Sequence, residues 1–263
     1  MMATLDRRPR IKIDGIKKAY RTQEGKTLDV LRGLDLEIYD AEFVSLIGPS
    51  GGGKTTLLNI MAGLVPATSG RIIVGGEEVQ GPSSDLGLVF QEDCIFLWRT
   101  VLGNVEYGPE TKGLPRDEVR RIAMKNLDLV GPRDFASFYP KELSGGMKKR
   151  VALAMVLAND PAVLLMDEPF GSLDYQTKVE LQLSLLEIWE NNKKTTVFVT
   201  HDIEEALFLS DRVVVLTNGL VAEILEAPFG RPRANELRTS TQFAEAKIRL
   251  WNQLKSEERA ANP

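Results

Sequence analysis

The stretch Phe43-Val44-Ser45-Leu46-Ile47-Gly48-Pro49-Ser50-Gly51-Gly52-Gly53-Lys54-Thr55-Thr56 decides how the rest of the chain is read. It opens with a short apolar run that stops at a glycine, the pattern of a buried strand in a parallel sheet. Gly48 to Thr55 then has the spacing G-x-x-x-x-G-K-[ST] of a phosphate-binding loop. Glycines let consecutive backbone N–H groups turn toward one anion, where a Cβ would block the approach. Helical periodicity over Lys54–Ala62 puts a positive helix end behind the same anion. Lys54 then reaches the β- and γ-phosphates of a nucleotide, and the Thr55 hydroxyl is placed to ligand Mg²⁺. The nucleotide contacts expected here are Gly48, Ser50, Gly51, Gly52, Gly53, Lys54, Thr55 and Thr56.

On either side of this loop, further strands and helices alternate. Ile11, Ile13 and Ile16 predict an edge strand with one buried face. Arg71–Val74, Leu86–Phe90, Val163–Met166, Thr196–Val199 and Arg212–Leu216 predict more strands, separated by helical patterns over Leu173–Glu190 and Ile203–Leu209. The expected fold is α/β: a P-loop core with a mostly parallel sheet and an antiparallel β edge. Between Phe96 and Asn159 no strand pattern stands out, while Arg116–Leu129 and Gly145–Asn159 have helical periodicity. An inserted α-helical subdomain is therefore expected over about residues 92–160 of an α/β domain spanning 9–230. A polar link, Arg231-Pro232-Arg233, then leads to a helical extension over 231–263 with Ile248, Trp251 and Leu254 on one side.

Composition narrows the function. The chain has 263 residues, with 33 Lys+Arg against 37 Asp+Glu for a net charge of −4. That length buries about 70–75% of the unfolded surface, so no disulfide or metal staple is needed. With 43% hydrophobic and 27% charged residues the chain is expected to be globular, not disordered. The mild acidity argues against broad nucleic-acid binding. The single cysteine, Cys94, has no intrachain partner, which fits a reducing compartment. The opening MMATLDRRPR has no apolar stretch behind its charges, and the longest apolar run, Val151–Ala158, is far short of the ~20 residues of a membrane span. A cytoplasmic protein is the expectation.

Three further segments carry chemistry. Val163-Leu164-Leu165-Met166-Asp167-Glu168-Pro169 is an apolar strand delivering two acids at its C-terminal end, where ligands bind in open parallel sheets. Asp167 is expected to help hold Mg²⁺, and Glu168 to polarise the water that attacks the γ-phosphate. His201, the only histidine, follows the strand Thr196–Val199, which places its ring near the phosphates. Leu143-Ser144-Gly145-Gly146-Met147 opens a helix. It reads as a serine N-cap and equally as a second anion-binding helix end, since a capped terminus with exposed N–H groups is both. If it lies away from its own nucleotide, two chains must face head-to-tail to use it.

These segments, in this order, resemble the ATP-binding subunits of ATP-binding-cassette (ABC) transporters over essentially the whole chain. The resemblance identifies Gly48–Thr55 as Walker A, Gln91 as the Q-loop, Leu143–Met147 as the signature, and Val163–Asp167 with Glu168 as Walker B. It identifies Ser172-Leu173-Asp174 as the D-loop, His201 as the switch histidine, and Tyr20 as the aromatic stacked on adenine. It implies two cassettes sandwiching two ATP molecules, each between Walker A of one subunit and Ser144, Gly145 and Gly146 of the other. Gln91 would meet the Mg²⁺ and attacking-water region, His201 the γ-phosphate, and Asp174 would position elements across the dimer. Lys54, Gln91, Glu168 and His201 form the implied catalytic set, and Thr55, Gln91 and Asp167 the metal set.

The run Asp167–Asp174, the LSGGM signature, Trp98-Arg99-Thr100-Val101 and the Arg231-Pro232-Arg233 tail look like the importers of nitrate, sulfonates and taurine. The resemblance then implies integral-membrane permease subunits docking near Gln91 and Cys94–Trp98. It implies a homodimer on the inner membrane face and an extracytoplasmic solute-binding protein. Exporter or lipid-transport cassettes and non-transport ABC ATPases are the alternatives. Met147 replaces a commoner glutamine without touching the Ser144 and Gly146 contacts. Lys148-Lys149-Arg150 stands where the family usually has arginine–glutamine–arginine, which puts that glutamine's hydrogen bond in question. Phe96-Leu97-Trp98 lacks the proline common before this tryptophan, a change at the docking surface.

Overall fold

A computed structural model describes residues 8–92, 94–171 and 173–261, so Ser172 of the expected D-loop lies outside the described residues. The chain divides into two compact units, Met1–Ser83 with Lys193–Pro263, and Ser84–Asn192. The first begins with β1 (Pro9–Arg21), β2 (Thr27–Tyr39), β3 (Phe43–Ile47), α1 (Lys54–Met61), β4 (Ser69–Val74) and β5 (Glu77–Glu78). The second holds β6 (Leu86–Val89), α2 (Val101–Thr111), α3 (Arg116–Val130), α4 (Gly145–Leu157), β7 (Val163–Asp167) and α5 (Tyr175–Asn192). The chain then returns to the first unit with β8 (Thr195–Val199), α6 (Ile203–Leu209), β9 (Arg212–Thr217), β10 (Leu220–Glu226) and α7 (Thr241–Ala261).

In the first unit, β3 is buried along its whole length and runs parallel between β8 and β9, with Leu46 opposite Val199 on one side and Val214 on the other. This is the buried parallel strand its apolar run predicts. β10 closes that edge antiparallel to β9. A separate antiparallel sheet has the order β2-β1-β4-β5. Ile11, Ile13 and Ile16 are buried as expected, but β1 is not an edge, since β2 and β4 pair with it on opposite sides. The flanking strand β2 escapes a pattern search because its buried residues Leu31, Leu34, Leu36 and Ile38 include a three-residue step. A register irregularity between Ile16 and Lys17 absorbs it, one step in β1 facing the two from Leu34 to Arg32, with Gly33 between them in the left-handed region at φ 106.

In the second unit β6 and β7 pair in parallel, Val89 opposite Met166. Helices α2, α3 and α4 pack on one another, as the helical reading of this region leads one to expect. α2 has no helical signature in the sequence because Gly103, Gly108 and Pro109 lower its propensity. It forms because Thr100 caps it, accepting from the Gly103 N–H at 3.1 Å, and because Val101, Leu102 and Val105 are buried. At Gly108 a Cβ would stand 2.2 Å from the Asn159 side chain, so glycine is there for close packing.

The C-terminal segment departs from the sequence reading. Arg231-Pro232-Arg233 is more than a polar link: the Arg233 guanidinium is buried and donates to backbone carbonyls of Leu207, Phe208, Ser210 and Phe229. Along α7 the buried anchors are Phe243 and Leu250, whereas Ile248 and Trp251 are 61% and 52% exposed. The helix packs against α6 and β9 through the other face. The side marked by Ile248 and Trp251 is thus turned outward, and the stripe that packs runs through Phe243 and Leu250. Among the described residues, no helix is long and apolar enough to cross a membrane.

Candidate active site

The first unit builds the phosphate loop out of main chain. β3 delivers Gly48 into a space where a Cβ would lie 2.0 Å from the carbonyl oxygen of Leu216. At Gly53 the backbone is left-handed, φ 93, and a Cβ would meet Leu31 at 2.7 Å. Glycine is required at both positions by sterics alone. Gly53 is also the N-cap of α1, and it offers no side-chain acceptor to the first turn. The first-turn N–H groups of Lys54, Thr55 and Thr56 therefore point from a positive helix end with no capping side chain from Gly53, which fits an anion. The ammonium of Lys54 folds back over the loop to the carbonyls of Gly48 and Pro49 at 2.9 and 3.0 Å.

His201 follows β8, the parallel neighbour of β3, so the histidine and the phosphate loop leave their strands at the same end. Its flanks are tightly fixed. Thr200 is buried and its hydroxyl donates to the buried Glu205 carboxylate, while accepting from the Asp202 N–H at 3.0 Å. Asp202 caps α6 by accepting from the Glu204 and Glu205 N–H groups. Tyr20 lies two residues beyond Lys18, whose register partner Leu31 is the residue under Gly53. Its ring is exposed, with the Lys18 ammonium 4.9 Å from the centroid.

The second unit carries the acids. Asp167 ends β7 and is buried, and Glu168 next to it has φ 42. A glutamate in the left-handed region is uncommon and strained. Here it turns the chain sharply, the Gly171 N–H donating to the Glu168 carbonyl at 3.1 Å. Gln91 is exposed and leaves β6 at the same end of the β6–β7 pair. Ser144 caps α4 by accepting from the Met147 N–H at 3.3 Å, with Gly145 exposed beside it. Gly146 is buried where a Cβ would lie 2.6 Å from the Thr177 methyl.

The sequence pattern of the ABC transporter family matches residues 31–171. The chain belongs to the ABC transporter family as one of its ATPase cassettes. An ABC transporter ATP-binding protein of Methanocaldococcus jannaschii is 48% identical over 250 residues, 94% of this chain and 92% of that one. An aliphatic sulfonates import ATP-binding protein of Bacillus cereus is 41% identical over 246 residues, covering 92% of this chain and 95% of its own length. Among solved structures, a dimeric ATP-binding cassette in a post-hydrolysis state with ADP and Pi has a TM-score of 0.75 at 32% identity, covering 84% of this chain and 100% of its own.

In the cassette, Asp174 immediately precedes α5 and accepts from the Thr177 N–H at 3.0 Å. That backbone bond is the main reason its carboxyl is held below the usual carboxylate range. A lowered folded-state pKa contributes stability present above the unfolded pKa and lost as pH falls through the folded one. Acidification through that range should thus loosen the first turn of α5 in the wild type. In Asp174→Asn, whose amide oxygen caps without titrating, it should not. NMR shifts of the Thr177 amide across an acid titration check this, and an identical titration in both proteins would remove the cap.

Several supports of the cassette were missed by sequence reasoning. The spacing Asp202-Ile203-Glu204-Glu205 is a capping-box pattern that could have flagged Asp202 and Glu205. Asn104 had no such signal. Fully buried in α2, its side chain accepts from the Phe96 N–H at 2.6 Å and donates to the carbonyls of Phe96, Arg99 and Thr100. It thereby shapes the loop that holds Leu97 and Trp98 outward, with the tryptophan 75% exposed. Ile95 in the same segment is buried, so the expected docking stretch divides into an inner anchor and an outer tip.

Proposed function

We propose that this cassette powers an importer of a small solute such as nitrate, a sulfonate or taurine, from the cytoplasmic face of a membrane that holds its permease subunits. The observation that carries the nucleotide reading is the phosphate loop, whose glycines are enforced by the Leu216 carbonyl and by Leu31 in front of the Gly53-capped helix end. Lys54 would swing from its carbonyl partners to the β- and γ-phosphates, Ser50 and Thr56 would add contacts, and Tyr20 would stack on adenine. Glu168 would take the proton of the attacking water as general base, its strained backbone fixing the direction of the carboxylate. His201, held by the Thr200–Glu205 bond, would donate to the γ-phosphate.

Thr55, Gln91 and Asp167 offer hydroxyl, amide and carboxylate oxygens, a hard donor set that suits Mg²⁺. When bound, that ion would neutralise phosphate charge during transfer. Ser144, Gly145 and Gly146 would serve the ATP of a second copy. The exposed Leu97 and Trp98 would meet the permease, beside a cavity of about 180 Å³ lined in part by Phe90, Cys94, Tyr107 and Met155. The sulfonate-import relative supports the solute class, and an extracytoplasmic solute-binding protein would complete the system.

The test is co-purification of the tagged full-length chain from its native membranes in Mg-ATP. A multi-span permease should come with it. Recovery of soluble partners or nucleic acid alone from well-solubilised membranes would overturn the transport reading.

A further inference from the structure

Lys149 stands where the family usually has a neutral glutamine, and its place in the second unit gives it work of its own. It lies on the buried face of α4 at helical spacing from Gly146 and Leu153, only 7% exposed. Burying an ammonium is costly unless its donors meet acceptors. One acceptor is the backbone carbonyl of Gln91, to which the Lys149 ammonium donates directly. A charge-assisted bond of this kind is roughly twice as strong as one between neutral groups. The Gln91 segment is thus pinned at its start to the helix that Ser144 and Gly146 head, and at its far end to α2 by Asn104.

We propose that Lys149 is a positioning residue that fastens the Gln91 segment to the signature helix, so that the two move as one body through the hydrolysis cycle. The bond lets a displacement at one nucleotide, sensed through Gln91, reach the Ser144 end that serves the opposing nucleotide. The proposal rests on the reading that Gln91 serves hydrolysis, and the two are tested separately.

The experiment is a double-mutant cycle in the full-length chain, reading kcat and KM for Mg-ATP in wild type, Lys149→Met, Gln91→Ala and the double variant. Lys149→Met keeps the length and removes the donor. Its kcat should fall about tenfold, the scale of losing a charged hydrogen bond, with KM little changed. In the Gln91→Ala background the same change should cost nothing further, because residues acting through one group are not additive. Lys149→Gln, which restores a shorter neutral donor, should recover part of the rate, and it carries the same cycle if Lys149→Met fails to fold. A slow Gln91→Ala whose loss multiplies with that of Lys149→Met would overturn the role of Lys149 alone. Full kcat in Gln91→Ala would overturn the reading of Gln91 and this proposal with it.

Discussion

Glu168→Gln is expected to slow steady-state ATP hydrolysis by ~10²–10⁴-fold, the usual worth of a positioned general base. The substitution keeps the size of the side chain and the same Cβ, so the strained turn at φ 42 and its Gly171 bond are preserved. What it removes is the group able to accept a proton from water. ATP affinity should therefore stay close to wild type, and the ATP-bound dimer should accumulate because it no longer turns over. Single-turnover hydrolysis and nucleotide titration separate the two effects, and sedimentation in Mg-ATP reads the dimer. Near-normal turnover would take Glu168 out of the role of base.

Arg233→Ala should lower stability by about 3 kcal/mol, since it removes a buried network of hydrogen bonds from a charged donor. Nη1 donates to the carbonyls of Leu207, Phe208 and Ser210 at 3.1, 2.9 and 2.8 Å, and Nη2 to that of Phe229 at 3.2 Å. The α6 carbonyls among them end a helix, have no helical partner, and carry its negative dipole end. Without the guanidinium they are buried against nothing. For a protein of this size the expected fall in Tm is about 6–12 °C. Arg233→Lys should recover only part of it, because one ammonium cannot span carbonyls that the planar fork reaches together. Thermal melting measures the loss, and limited proteolysis should find the segment after Gly230 cut first. An unchanged Tm in Arg233→Ala would mean that the tail is held by Phe243 and Leu250 alone.

The parts of the fold that depend on short-range chemistry were legible in the sequence. Phe43–Ile47, Lys54–Met61 and Val163–Asp167 announce themselves because uninterrupted burial and glycine spacing leave few alternatives. β2 and α2 were hidden for opposite reasons, the first by a bulge that breaks its alternation and the second by Gly and Pro inside a helix that tertiary packing sustains. At the site, the residues that would touch nucleotide stood out by type, whereas those that hold them did not. Glu205, Asn104 and Lys149 work through backbone atoms or a neighbouring hydroxyl distant in sequence or hidden by the fold. The left-handed backbone of Glu168 leaves no trace in composition at all.

The carbonyl of Leu216 stands against both Gly48 and Gly52, 2.0 and 3.1 Å from where their Cβ atoms would be. Because that obstacle is main chain, it is present whatever side chain position 216 carries. The loop takes its contour from the path of a strand that no exchange of side chains can move aside. A lineage that lost glycine at position 48 would thus find no second-site repair among the neighbours, and recovery would have to come by restoring the glycine itself. The side chain at position 216 is free to drift while the codon for Gly48 is not.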